Sequence, residues 1–166
     1  MAHGRAALGS VVFFVAAPGT MAGLVPWLIT GWHDPAQAWA VAVGGALVLA
    51  GTAVVVAAFV QFVVEGRGTP APVAPTSELV VGGLYRWVRN PMYVGVATAI
   101  AGQAVVFGSV GVAAWLVLFV VAVTAFVLVY EEPTLHATYG SSYETYTAHV
   151  HRWVPRTRPW RRDAVR

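Results

Sequence analysis

What this sequence lacks narrows the field before any motif is read. There is no cysteine, which excludes disulfides, thiolate metal sites and a cysteine nucleophile. There is no lysine, so all ten basic side chains are arginines. Charged residues make up only 10% of the chain, against roughly 25% in soluble domains. The long apolar runs contain no Asp, Glu, Arg or His, and Gln61 and Gln103 are their most polar side chains. Coupled transporters usually place an ionisable residue within a span, and haem or metal held inside a bundle requires histidines there. His3, His33, His136, His149 and His151 all lie outside the runs, and His149 and His151, two apart, fall on different helix faces. No metal site is expected. The net charge of +3 is small and sits beside apolar runs, which points to membrane anchoring and away from nucleic acid.

What is present is apolar. Hydrophobic residues fill 58% of the 166 positions, and the mean hydropathy is +0.68. The expectation is an all-α integral membrane protein, one membrane domain over residues 1–166 with no separate soluble domain. A membrane helix needs about 20 mainly apolar residues. Spans are expected at about 8–29, 38–64, 91–107 and 110–130, four or five in all, followed by a C-terminal interfacial helix. Leu8–Ile29 is longer than the roughly 7–15 residues of a signal-peptide core, so it reads as a span despite the cleavage-like Val15-Ala16-Ala17. Pro18 and Pro26 predict bends in it. Gly19-x-x-x-Gly23 and Gly44-Gly45 read as close helix packing. Glu65–Ser77 is a loop rich in proline and glycine. Tyr139, Tyr143, Tyr146 and Val150 recur at three- and four-residue steps, one stripe of a surface helix. They read as packing, and the tail arginines read as lipid headgroup contacts.

The arginines set a topology. Positive residues are retained on the cytoplasmic side. With four spans, Arg5, Arg67, Arg86, Arg89 and the tail share one face, and loops one and three hold no arginine. Both termini are then cytoplasmic, in a plasma or inner membrane. Two polar knots fall on that face. One is Gly82–Tyr93, where Pro91 fits the first turn of a helix and Asn90 ends the preceding element. The other is Glu131-Glu132-Pro133.

Gly83-Leu84-Tyr85-Arg86-Trp87-Val88-Arg89-Asn90-Pro91-Met92-Tyr93-Val94-Gly95, then Glu131-Glu132, Tyr139-Gly140, Tyr143, Tyr146, Arg152 and Pro155, resembles the isoprenylcysteine carboxyl methyltransferase and phospholipid methyltransferase family. The likeness covers about residues 77–155, the cofactor-binding half that it implies. It implies a membrane-embedded enzyme that binds S-adenosylmethionine at the cytoplasmic helix ends and releases S-adenosylhomocysteine. By likeness the cofactor is held by Ser77-Glu78-Leu79-Val80, Tyr85, the group Asn90-Pro91-Met92-Tyr93, and Glu131. Asn90 stands where the family often has histidine and cannot titrate. Val127 stands where similar carboxyl methyltransferases carry an arginine, which speaks against a prenylcysteine carboxylate as acceptor.

The residue types fit that cofactor. Glu131 or Glu132 suits its ammonium, and Arg86, Arg89 or Arg152 its carboxylate. Tyr85, Trp87 and Tyr93 suit its adenine or sulfonium. The candidate cofactor-binding set is therefore Leu79, Val80, Tyr85, Arg89, Asn90, Pro91, Met92, Tyr93, Glu131 and Glu132. No residue is assigned as catalytic; Glu132 or a tyrosine is the candidate base if an amine or hydroxyl acceptor needs one. The partners expected are the bilayer and a small lipophilic substrate, an isoprenoid or prenylcysteine-like carboxylate or a lipid amine. Two other classes compete: an NADPH-dependent membrane reductase, because sterol reductases share a similar passage, and a non-enzymatic transporter or scaffold. Adjacent glutamates repel the extra NADPH phosphate and favour the methyltransferase.

Overall fold

The computed structural model describes residues 16–66 and 79–161, with no strand among them. Outside those residues lie the first half of the expected Leu8–Ile29 helix, most of the loop before Leu79, Ser77, Glu78, His3, and Arg5, Arg67, Arg162 and Arg166. The described chain opens in helix, passes through a π-helical turn at Thr20–Leu24 and continues as α1 (Val25–Thr30). Then come α2 (Ala38–Gly66), a 3-10 turn at Gly83–Arg86, α3 (Pro91–Phe107) and α4 (Val110–Phe126). A second π-helical turn, Val127–Glu131, leads into α5 (Glu132–Tyr139), and α6 is Ser141–His149. The helical stretches Ala38–Gln61 and Val110–Tyr139 are long and apolar enough to cross a membrane, and Pro91–Phe107 is a shorter apolar helix.

Local chemistry sets the helix ends. Asn90 is held out of helical geometry (φ −118°, ψ 58°), as the ring of the following proline requires, and Pro91 opens α3 where a missing N–H costs nothing. Gly108, left-handed at φ 55°, closes α3, and Ser109 caps α4 by accepting from the Val112 N–H at 3.2 Å. The apolar run of α4 does not end its helix at Tyr130. It continues through the π turn to Tyr139, beside Pro133, whose absent N–H favours such local adjustment.

α2 and α3 form the tightest seam. A Cβ on Gly44 would come within 2.5 Å of the Gly102 carbonyl oxygen, and one on Gly51 within 2.5 Å of that of Gly95. The reverse contacts, Gly95 toward Gly51 and Gly102 toward Gly44, are as close at 2.8 and 2.6 Å. Seven-residue spacing on two antiparallel helices brings backbone against backbone twice. Gly19, Gly23 and Gly45, expected to pack closely, have no atom of a facing element within 4 Å of such a Cβ among the described residues.

The opening helix is joined to α3 and α4 differently. Pro26 has no N–H, so the Ala22 carbonyl one turn earlier loses its donor. The Gln103 amide, buried in α3, donates to that oxygen at 2.5 Å, and the Trp115 indole of α4 donates to the neighbouring Met21 carbonyl at 2.9 Å. In lipid an unmade backbone bond is costly, and each of these interhelical staples is worth about 1–2 kcal/mol. Val55, Val96, Ile100, Val112 and Phe119 form the apolar core between the helices.

At one pole the loop before α2 meets the α3–α4 hairpin, the Ala36 N–H donating to Val106 at 2.8 Å. At the other, residues 79–90, α5, α6 and the tail pack on a second core of Tyr143, Tyr146, Val150 and Trp160. The tyrosine stripe is thus one packed surface, but no single interfacial helix carries it. Gly140 (φ 50°, ψ −127°) breaks α5 from α6, and the chain beyond His149 is not helical.

Candidate active site

α3, α4 and the opening helix splay apart at the arginine-bearing pole and leave a cavity of about 840 Å³. Along the helices its wall is apolar, built from Pro18, Met21, Trp115, Phe119, Val123 and Phe126. Toward the pole it turns polar. All ten candidate residues (Leu79, Val80, Tyr85, Arg89, Asn90, Pro91, Met92, Tyr93, Glu131 and Glu132) line this one cavity. The two polar knots therefore meet.

They meet through two glutamates with different partners. Successive helical side chains diverge by about 100°. Glu132 turns to the arginines: Arg152 grips it with Nε at 2.7 Å and Nη2 at 2.8 Å, and Arg89 Nη1 adds a bond at 3.0 Å. Such forked, charge-assisted bonds are the strong ones. Glu131 turns to α3, where the Tyr93 hydroxyl donates to it at 3.0 Å. Among the described residues no cation pairs with Glu131.

Arg86 and Arg156 are similarly committed. Arg86 Nε donates to the Trp160 carbonyl at 2.7 Å, and Arg156 bonds the His149 and Arg158 carbonyls. Arg152 and Arg156 thus serve the protein's own fold, contrary to the lipid role expected of the tail arginines. Of the three arginines considered for a ligand carboxylate, Arg89 alone keeps a nitrogen, Nε, that is buried with no partner among the described residues. Asn90 is buried, and its amide donates to the Arg152 carbonyl at 3.2 Å, a role that needs no titration.

The tyrosines beside the cavity are held neutral. Burial first, then the Glu131 charge, push the Tyr85 phenol well above its ordinary range. Burial likewise raises Tyr143 and Tyr146, with Glu132 adding to the first and Tyr85 to the second. None of the three is a base near neutrality. Tyr143 and Tyr146 also line the cavity, with Thr134, Leu135 and Thr138, which sequence reasoning had left outside the site. The tyrosine stripe was the visible signal; that its buried face also borders a cavity depends on α3 and α4. Trp87 goes the other way. It does not line the cavity and is exposed, so it does not serve as an adenine platform. Among the described residues no three His, Asp or Glu side chains are grouped to hold a metal ion.

A helical bundle with membrane-length apolar helices, a greasy cavity wall and a charged rim defines an integral membrane protein whose site joins polar and lipophilic chemistry. The chain belongs to the phospholipid methyltransferase family, whose model matches residues 39–142, from α2 into α6. It is a membrane methyltransferase. No curated protein and no solved structure matches it.

Proposed function

We propose that the protein transfers a methyl group from S-adenosylmethionine to a small lipophilic acceptor, at the cytoplasmic face of a plasma or inner membrane crossed by four helices. One observation carries the reading: Glu131, a half-buried carboxylate on the cavity wall, has a neutral hydroxyl as partner and no cation among the described residues. An ammonium satisfies it, and a phosphate does not. The cavity volume also suits a drug-sized ligand, for which pockets of roughly 300–1,000 Å³ are usual.

S-adenosylmethionine, when bound, supplies an electrophilic methyl on a sulfonium. The chain supplies the rest. Glu131 receives the ammonium and Tyr93 orients Glu131. Arg89, the one of the three candidate arginines that lines the cavity, is the cation for the carboxylate, and Tyr85 borders the same space. The apolar wall excludes water and aligns the acceptor, which is most of what in-line displacement requires. Glu132, locked between two arginines, and the neutral tyrosines supply no ready base, so an amine acceptor gives up its proton to water before it attacks. Val127, fully buried on the wall, offers an acceptor carboxylate no charge, which favours a lipid amine over a prenylcysteine-like carboxylate.

Calorimetric titration of purified protein with S-adenosylhomocysteine tests the reading, with Glu131→Ala alongside and NADPH as the competitor. Saturable binding lost in the variant is expected. Folded protein that ignores the homocysteine compound and takes NADPH belongs with the reductases instead.

A further inference from the structure

The tail from His151 to Trp160 runs antiparallel along Arg86–Asn90 and grips it through the main chain. The Arg89 N–H donates to His151, the Arg156 N–H to Trp87 and the Trp160 N–H to Arg86, each at 2.9 Å. Arg86 Nε donates back to the Trp160 carbonyl at 2.7 Å, so these two residues form a reciprocal clasp. Trp160 anchors it, buried against Tyr146 (5.7 Å between ring centroids) and stacked on His149 (5.9 Å). Tyr146 in turn donates its hydroxyl to the Tyr85 carbonyl at 2.7 Å.

Besides the strap, the gripped segment is held by the Arg89–Glu132 pair and by its contact with α2, where Gly83 lies against the Gln61 side chain, but it has no regular structure beyond one short turn. It follows Gly82 and a left-handed Gly83, and its 3-10 turn spans four residues. Yet Tyr85, Arg89 and Asn90, three of the cavity's polar lining residues, sit on or beside it. A pocket on a loose turn loses affinity to the entropy of ordering it; a strap that fixes the turn beforehand removes that cost. Tyr146, Arg156 and Trp160 all lie beyond residue 142, where the family match ends.

We propose that Trp160 and Arg86 are positioning residues, a strap that presets Tyr85 and Arg89 in the methyl-donor pocket. The inference rests on the donor site proposed above. Neither residue lines the cavity, so each acts through the turn. The Trp160 indole nitrogen is buried without a partner among the described residues, so the ring works there by shape.

The test is S-adenosylhomocysteine affinity of the full chain in lipid nanodiscs, with amide hydrogen exchange read in parallel. Trp160→Ala and Arg86→Ala are expected to weaken binding about tenfold, the scale of one charge-assisted hydrogen bond. Trp160→Phe is expected to stay near wild type. Exchange should quicken at residues 85–90 and stay unchanged in α2 and α3. Arg86→Ala keeps every apolar contact of the tail, so it carries the test if Trp160→Ala does not fold. Folded variants with wild-type affinity overturn the strap, as does exchange that quickens throughout the bundle. Wild-type protein that binds no S-adenosylhomocysteine overturns the donor reading and this inference with it, whereas wild-type binding with insensitive variants overturns the strap alone.

Discussion

α3 has two faces and treats the neighbours on them in opposite ways. Toward α2 it presents Gly95 and Gly102, and the backbones touch with no space between them. Toward α4 and the opening helix, Met21, Trp115 and Phe119 are large, and the helices diverge into the cavity. The seam without side chains is closed, and the one with large side chains is open where the chemistry lies. Close packing fixes α3 on one side so that its other side can face a space. Rigidity and access are divided between two faces of one 17-residue helix.

The comparison breaks most severely at the seam. Gly51→Val or Gly95→Val forces side-chain atoms into a facing backbone, and a loss above about 3 kcal/mol is expected, read as collapse of folded yield and thermal midpoint. The same change at Gly45, which faces open space, is expected to be tolerated. On the open side, Glu131→Gln should weaken S-adenosylhomocysteine by about 10- to 100-fold with little change in thermal midpoint, because only a charge facing the cavity is lost. Glu132→Gln should show the reverse weighting. It removes the countercharge of Arg89 and Arg152, so the midpoint falls more than for Glu131→Gln.

Gln103→Leu removes the staple on the Ala22 carbonyl, with an expected cost of about 1–2 kcal/mol in thermal or chemical unfolding. Restoring the backbone donor by Pro26→Ala in that background should recover part of it. The smallest effect is none. The Tyr85 phenol is raised in the folded protein, so below its ordinary value of about 10 it is protonated both folded and unfolded. Stability owed to Tyr85 should therefore be level from neutral pH up to that value and decline only above it, where the unfolded phenol ionises. A decline at lower pH that Tyr85→Phe abolishes would contradict its buried setting.

Much was legible where physics is local. Pro91 and Gly108 fixed both ends of α3, because a missing N–H and a left-handed residue act on their own helix. Glu131-Glu132 and Gly82–Tyr93 pointed to one site because charge in an apolar chain must find partners. What was hidden depends on a neighbour. Gly19-x-x-x-Gly23 carried the recognisable spacing but has nothing near it, while the working glycines repeat every seven residues on two different helices. The division of labour between Glu131 and Glu132 was also unreadable, since it follows from where Arg89, Arg152 and Tyr93 arrive. The tail arginines looked like lipid contacts because solvent, lipid and a backbone carbonyl all attract a guanidinium equally well on paper.

α2 has 29 residues and α3 only 17, so at 1.5 Å per residue they rise about 43 and 25 Å. A hydrocarbon layer is about 30 Å thick. If α3 crosses the membrane as in the four-helix reading proposed above, with Phe107 at one boundary of that layer, Pro91 stops short of the other, and Tyr93 and Glu131 lie below the surface plane. On that reading a lipophilic acceptor need not be lifted out of its leaflet to be modified. The methyl donor would instead descend to it, and bilayer thickness would become a setting on how far.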